Sequence, residues 1–234
     1  MNIALMRRRR MGGSLSLSAQ VEAILAGTTG FALDPSDLST LFQDTAGTVP
    51  VTTAGQAVAR INSKWGTTAY EFAQAAAANR PASSDLRSLA FAVDDLLDIG
   101  SNRFFSNEVG MTFTARVVVD TLAAAQGIIN VSRGGSTTLS RWLMQVTSAG
   151  QLSQFCRRGD GDPGNTASSA GGLITAGVPF TVQGQVNFAT DVARILLNGT
   201  EVATTAQGGT SGQTRLLQSR GGQLSATCLR ALRH

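Results

Sequence analysis

The sequence predicts a mainly β protein, and three observations support this fold class. Glycine accounts for 26 of the 234 residues, and together with many serines and threonines it favours tight turns between short strands. The run MTFTARVVVD at 111–120 has the two-residue period of a strand with one buried face. Asn198 and Gly199 stand between two β-rich runs, which is the strongest short-range signal for a hairpin.

Composition predicts a globular protein with a sizeable core. Hydrophobic residues make up 42% of the chain and charged residues 15%, which argues against a disordered chain. Because the aromatic content is only 6%, few side chains can stack on bases, and we do not expect nucleic-acid binding. The net charge is +4, and the whole excess comes from an N-terminal arm of four arginines, Arg7, Arg8, Arg9 and Arg10.

The chain divides into a basic arm with a short helix at 1–28 and a β-sandwich at 29–234. Ser18 can cap the helix and Gly27 can end it. The apolar face of this helix is predicted to consist of Val21, Ile24 and Leu25.

A second helical turn is predicted to begin at Asp34. Pro35 suits the first helical position, and Asp37 suits the positive end of the helix dipole. Both helices are expected to be short.

Alternating side chains define the candidate core. In the run at 111–120 the buried face consists of Met111, Phe113, Ala115, Val117 and Val119. In STTLSRWLMQVT the buried face consists of Trp142, Met144 and Val146. The run at 89–99 mixes strand and turn signals, and the segment QLSATCLRAL at 223–232 is predicted to be a closing strand.

Cysteine usage and the N-terminus bear on the cellular location. Cys156 and Cys228 are too few for a disulfide framework, so we expect buried thiols. The first 20 residues are too polar for the core of a signal peptide, and no window resembles a membrane span. We therefore expect synthesis in a cytoplasm and no membrane insertion.

Catalytic patterns are absent from the sequence, so an enzyme is not expected. The only histidine is His234, which leaves neither a Ser-His-Asp triad nor a zinc set. No glutamate shares a strand face with another acid, as a glycosidase pair requires. The densest acidic cluster consists of Asp94, Asp95 and Asp98, for which a role in a turn or at a strand edge is favoured.

Calcium is the metal that the sequence fits best. The loop RGDGDPGN offers oxygen ligands at short spacing from Asp160, Asp162 and Asn165. The loop lacks the distal glutamate of an EF-hand, so an acidic turn between strands is the favoured interpretation.

Two long segments resemble a known family. GFALDPSDLSTLFQDTAGTVPVTTAGQAVARINSKWG resembles the opening of laminin-G-like or concanavalin A-like domains in virion proteins of tailed bacteriophages and related particles. AAAANRPASSDLRSLAFAVDDLLDI resembles their Arg-Pro loop with its following Asp-Asp strand, and the hairpin at 198–199 is similar to their penultimate hairpin. The resemblance covers residues 30–232 and implies an antiparallel two-sheet jelly-roll sandwich.

The resemblance also implies a function. We expect a fibre, spike or decoration protein on the virion surface that binds host polysaccharide, contacts other virion proteins through the arginine arm and forms homo-oligomers. Sugar binding requires aromatic and planar polar side chains, and the candidates are Trp65, Tyr70, Arg141 and Asn165. Of these, Trp65 and Tyr70 are expected to be exposed in a loop. A purely architectural virion subunit and a polysaccharide-degrading enzyme remain alternatives.

Overall fold

The fold is described from a computed structural model, which covers residues 17–25, 30–66, 69–92, 94–99, 110–132, 140–157, 163–206, 222–224 and 230–232. One helix in these residues, α1, spans Leu17–Leu25. The first strands are short: β1 Phe31–Ala32, β2 Leu41–Phe42, β3 Arg60–Asn62, β4 Trp65–Gly66, β5 Glu71–Ala73, β6 Ala82–Ser83, β7 Leu89–Ala90 and β8 Leu97–Asp98. The later strands include the long ones: β9 Gly110–Val117, β10 Gln126–Ser132, β11 Ser140–Val146, β12 Leu152–Cys156, β13 Asn165–Ser168, β14 Phe180–Asn187, β15 Val192–Leu197, β16 Thr200–Ala206, β17 Gly222–Leu224 and β18 Arg230–Leu232.

Within the described residues, the strands form two large antiparallel sheets and one small sheet. Sheet I has seven strands in the order β16-β15-β14-β9-β18-β1-β4. Sheet II has nine strands in the order β13-β12-β11-β10-β17-β8-β5-β3-β2, and β6 pairs with β7 separately. Neighbours that are distant in sequence, such as β1 beside β18, bring the first and last strands of the chain into one sheet.

The core lies between the two large sheets, and the predicted core-facing residues form it. Met111, Phe113, Ala115, Val117 and Val119 are all buried, as are the three residues Trp142, Met144 and Val146. The rings of Phe113 from sheet I and Trp142 from sheet II meet edge to face at 5.2 Å between centroids. This contact joins the two sheets near their centre and confirms the predicted strand faces.

The Asn-Gly hairpin is also confirmed. β15 and β16 are joined by Asn198 and Gly199, with φ of 50° and 85°. Positive φ at both turn residues matches the twist of the flanking strands, and Asn and Gly reach it at the lowest cost. Asn198 also binds β14, because its Oδ1 accepts a hydrogen bond from the Thr181 backbone N–H at 2.9 Å.

The N-terminal helix forms, but its predicted cap is wrong. Ser18 lies within α1 rather than before it. The second helical turn begins later than predicted, because the side chain of Asp37 caps a 3₁₀ turn at Leu38–Thr40. Asp34 instead accepts hydrogen bonds from the backbone and hydroxyl groups of Ser36, which closes a separate turn.

The structure differs in detail from two further predictions. The run at 89–99 is divided into β7 and β8 by a turn in which Asp94 has φ of 70° and Asp95 accepts the Ala92 N–H, so these two acids serve a turn. Residues 223–232 do not form one closing strand, because β17 joins sheet II and β18 joins sheet I.

Among the described residues, no helix has the length and hydropathy to cross a membrane.

Candidate functional site

The outer face of sheet I carries polar side chains on three neighbouring strands. Alternate residues of β14 are buried, so the residues between them point away from the core. The strand register aligns β9, β14 and β15, which brings these outward residues into cross-strand rows. We call this surface the polar face, and it consists of Thr114, Arg116, Thr181, Gln183, Gln185 and Arg194.

Much of the hydrogen-bonding capacity of the polar face is unused. Within the described part of the chain, the side chains of Gln183, Gln185 and Arg116 form no hydrogen bond with another residue. Arg194 Nε lies 3.7 Å from Glu201 Oε2, and both side chains are about half exposed. Each amide offers two donors and two acceptor lone pairs, and each guanidinium offers five donors. These groups suit a ligand with many hydroxyl or carboxylate oxygens.

The polar face offers binding rather than acid–base chemistry. Its six side chains, all of them described, include no carboxyl group, thiol or imidazole, and the neighbouring carboxylate of Glu201 lies 3.7 Å from Arg194. The groups of this face are therefore hydrogen-bond donors and acceptors that suit ligand binding.

The strand at the centre of the polar face is held from inside the sandwich. Gln154 of β12 is fully buried, and its Nε2 donates a hydrogen bond to the Gln185 carbonyl oxygen at 2.9 Å. Gly184 leaves room for this contact, because a Cβ at that position would lie 2.6 Å from Gln154 Oε1 and closer still to the Phe113 ring. Sheet II thus positions the strand that carries both glutamines.

Trp65 lies on the same outer face, near the opposite edge of sheet I. It pairs in register with Ala32, and its side chain packs against the small cluster that Ala32 forms with Val21 of α1. Lys64 Nζ is 4.8 Å from the centre of the Trp65 ring. The prediction that Trp65 is an exposed loop residue is wrong, because it is half-buried in β4 beneath the helix.

Lys64 links this region to the turn before it. Its Nζ lies 2.8 Å from Asp34 Oδ2 and 2.9 Å from Asp37 Oδ2. Burial raises the pKa of Asp34, but hydrogen bonds from Lys64 and Ser36 outweigh that effect and hold it below the usual value. Hydrogen bonds from Ser39 and Lys64 lower the pKa of Asp37, and the two carboxylates raise the pKa of Lys64.

The four predicted sugar-binding residues do not meet at one site. Tyr70 is buried, with its ring 5.5 Å from Phe31 in the core, so its prediction as an exposed aromatic is wrong. Arg141 belongs to β11 of sheet II, whereas Trp65 belongs to sheet I. Asn165 begins β13, where its Nδ2 donates to the Ala206 carbonyl oxygen at 2.6 Å and joins the edges of the two sheets.

Several predicted residues lie outside the described ranges. They are Arg7, Arg8, Arg9 and Arg10 of the arm, Asp160 and Asp162 of the calcium loop, and Cys228. Cys156 is buried, as expected for a thiol in this fold. The calcium site stays a prediction, and the described amide of Asn165 takes part in the contact between sheet edges.

Comparison with known proteins identifies the fold. No family model matches the sequence, and a search of curated proteins finds no match. The solved structure of the Trypanosoma rangeli sialidase in complex with the inhibitor DANA is similar, with 10% identity and a TM-score of 0.52 over 85% of this chain and 34% of that chain. The CBM40 module of the Ruminococcus gnavus IT-sialidase bound to α2,3-sialyllactose has 16% identity and a TM-score of 0.45, over 55% of this chain and 78% of the module. Sheep galectin-11 in complex with glycerol has 14% identity and a TM-score of 0.36, over 54% and 92%.

The chain has an antiparallel two-sheet jelly-roll fold. The two-sheet sandwich predicted from the sequence is therefore confirmed. At these identities the similarity concerns the fold alone, so a function has to be argued from the residues of this chain.

The polar face was not found by sequence reasoning, although a signal for it exists. In FTVQGQVN at 180–187, polar residues alternate with Phe180, Val182 and Val186. That pattern places Gln183 and Gln185 on one face of a strand. Their alignment with Thr112 and Thr114 of a distant strand depends on pairing that the sequence does not specify.

Proposed function

We propose that this protein binds host-surface polysaccharide through the polar face of sheet I and that it is a structural fibre, spike or decoration protein of a bacteriophage-like virion. The observation that carries the binding proposal is the set of unused hydrogen-bonding groups on Arg116, Gln183 and Gln185. Sugar rings present closely spaced hydroxyl groups that both donate and accept. Planar amide and guanidinium groups on a rigid sheet match such ligands without a large ordering cost.

The virion role is supported by the resemblance of two long segments to phage virion proteins and by the concentration of the positive charge excess in the N-terminal arm. Four arginines at 7–10 supply the entire charge excess, while the remaining chain is nearly neutral. A basic arm of this kind suits attachment to an acidic surface on another virion protein. In this proposal the sandwich is displayed on the virion surface, the N-terminal segment attaches to the particle, and homo-oligomers form at a symmetry axis.

Binding to immobilised glycans tests the proposal. The full chain is applied to an array of bacterial capsular polysaccharides and lipopolysaccharides, with Gln183→Ala and Arg116→Ala as test variants. The matched controls are Gln145→Ala, which removes an amide near the end of β11 in sheet II, and Arg87→Ala, which removes an exposed guanidinium elsewhere. We expect saturable binding that weakens about tenfold in each test variant, equivalent to about 1.4 kcal/mol, and that the controls leave unchanged.

Other outcomes identify the alternatives. No binding to any glycan, combined with incorporation of the protein into particles, would establish an architectural subunit. Loss of binding in Gln145→Ala but not in Gln183→Ala would place the ligand on sheet II. Shortening of the polysaccharide during incubation, abolished by Asp95→Asn, would establish a degrading enzyme.

A further inference from the structure

Two arginines of the polar face lie on one diagonal of sheet I, with Gln183 between them. Gln183 of β14 pairs with Thr114 of β9 on one side and with Leu196 of β15 on the other. Arg116 lies two residues after Thr114, and Arg194 lies two residues before Leu196. Because β9 and β15 both run antiparallel to β14, these two steps lead in opposite directions. Each arginine is therefore a diagonal neighbour of Gln183, about 7 to 8 Å away between Cα atoms, and the two arginines are roughly 15 Å apart.

The positive charge on this diagonal is only partly neutralised within the described residues. Arg116 is exposed, its register partner Thr181 is uncharged, and it forms no ion pair with another described residue. Arg194 has a carboxylate nearby, but the 3.7 Å between its Nε and Glu201 Oε2 is too long for a hydrogen bond. Both side chains of that pair are about half exposed, and such pairs contribute little. Arg194 can therefore exchange Glu201 for an anion of a ligand.

The spacing of the two cations decides which anionic ligand fits. Guanidinium groups bind carboxylates and phosphates through paired hydrogen bonds. Side chains stand roughly perpendicular to a sheet, so the two guanidinium groups keep approximately the spacing of their backbones. A single charged group then meets one arginine, whereas a chain with charges on separate sugars meets both. Because the spacing exceeds the Debye length of about 8 Å at physiological ionic strength, the two contacts act independently.

We propose that the ligand of the polar face is an anionic polysaccharide bound along this diagonal. One anionic group binds Arg116, uncharged sugar hydroxyls bind Gln183, and a second anionic group binds Arg194. The inference rests on the proposed function, because the site is the same, and it adds the charge and the minimum length of the ligand. The anionic groups are carboxylates of uronic-acid sugars or phosphates, since a guanidinium matches both geometries. A neutral polysaccharide leaves both charges unused and binds more weakly.

The test uses the full chain with substitutions that change charge. Arg116→Gln and Arg194→Gln remove a positive charge but keep a planar amide, whereas Arg116→Lys keeps the charge. Arg87→Gln is the control, because it removes the same charge from an exposed side chain outside the polar face. Two pairs of probes distinguish the two anions. One pair is uronic-acid capsular polysaccharide before and after reduction of its carboxylates to alcohols, and the other is phosphate-bearing lipopolysaccharide before and after removal of its phosphates.

We expect binding to one pair of probes to fall about tenfold when the anionic groups are removed, and to fall as salt is raised. Arg116→Gln and Arg194→Gln should each weaken binding of the intact probe about three- to tenfold, and Arg116→Lys should weaken it less. The double substitution should show the product of the two single effects, because sites more than about 7 to 10 Å apart are additive. Fragments with one anionic group should bind about tenfold more weakly than fragments with several.

Glu201→Gln should have the opposite effect. It removes the carboxylate that competes for Arg194, so we expect binding of the intact probe to strengthen about two- to threefold. All of the substituted side chains are exposed, so each variant should keep the unfolding midpoint of the parent. Thermal unfolding of every variant therefore separates a change in binding from a loss of the fold.

The inference is overturned if probes without anionic groups bind as tightly as the intact ones, or if the substitutions at Arg116 and Arg194 weaken binding no more than Arg87→Gln. Equal affinity for fragments with one and with several anionic groups also overturns it. In each case, weaker binding in Gln183→Ala leaves the proposed function standing. Absence of binding to every polysaccharide, charged or neutral, rejects the proposed function and this inference together.

Discussion

The outer faces of the two sheets are both polar, yet their side chains are used differently. On sheet II, Arg60 donates to Asn62 Oδ1 at 2.7 Å, forms an ion pair with Glu71 and lies 5.8 Å from the centre of the Phe42 ring. It also donates to the carbonyl oxygens of Thr45 and Ala46. On sheet I, Arg116 is exposed and has no such partners among the described residues. A guanidinium with internal partners stabilises the fold, and one without them is available to a ligand.

The largest loss of stability is expected from a substitution beneath the polar face, at Gly184 of β14. In Gly184→Ala, the new methyl group collides with Gln154 and Phe113, which are both fully buried. We expect a loss of about 1 to 3 kcal/mol in the free energy of unfolding, together with weaker glycan binding because β14 is displaced. Urea denaturation measures the loss. Gly171→Ala is the control, because its nearest contact is an ordinary 3.6 Å and its stability should stay close to that of the parent.

Arg60 and Arg116 allow a direct comparison of the two outer faces. Arg60→Ala removes several hydrogen bonds from a side chain that is 15% exposed, so we expect a loss of about 1 to 2 kcal/mol in unfolding free energy with unchanged glycan affinity. Arg116→Ala should leave stability within about 0.5 kcal/mol and weaken binding. Thermal unfolding and array binding of both variants give the comparison. Equal stability losses in the two variants would remove the distinction between the faces.

The smallest effect concerns pH and the Lys64 cluster beside Trp65. The pKa values of Asp34 and Asp37 lie below their usual value of 3.8 in the folded protein. Their stabilising contribution is therefore present above that pH and is lost as the pH falls through the folded pKa values. Denaturation midpoints between pH 6 and pH 2.5 should show this loss, and Lys64→Met should reduce it by less than about 1 kcal/mol because the pairs are partly exposed. An identical acid dependence in Lys64→Met would mean that other carboxylates control it.

Local patterns in the sequence predicted the buried faces of β9 and β11 and the hairpin between β15 and β16. The alternation in β9 and β11 and the Asn-Gly turn depend on residues close together in the chain, and all three were confirmed. Short elements were predicted less well. The helical turn expected at Asp34 moved to Asp37, because the Asp34 carboxylate binds Ser36 instead of capping a helix. Local hydrogen bonds of this kind compete closely, and the sequence does not show which one prevails.

By itself, the sequence determined the fold class, the hairpin and the faces of β9 and β11, because each depends on residue type or on short spacing. Only the tertiary structure decided which polar side chains are available. Tyr70 was expected at the surface but packs against Phe31, and Trp65 lies beneath α1. Gln183 belongs to the candidate site because it pairs with Thr114 on a strand that is far away in the chain. Exposure and cross-strand neighbours arise from long-range pairing, which no local pattern encodes.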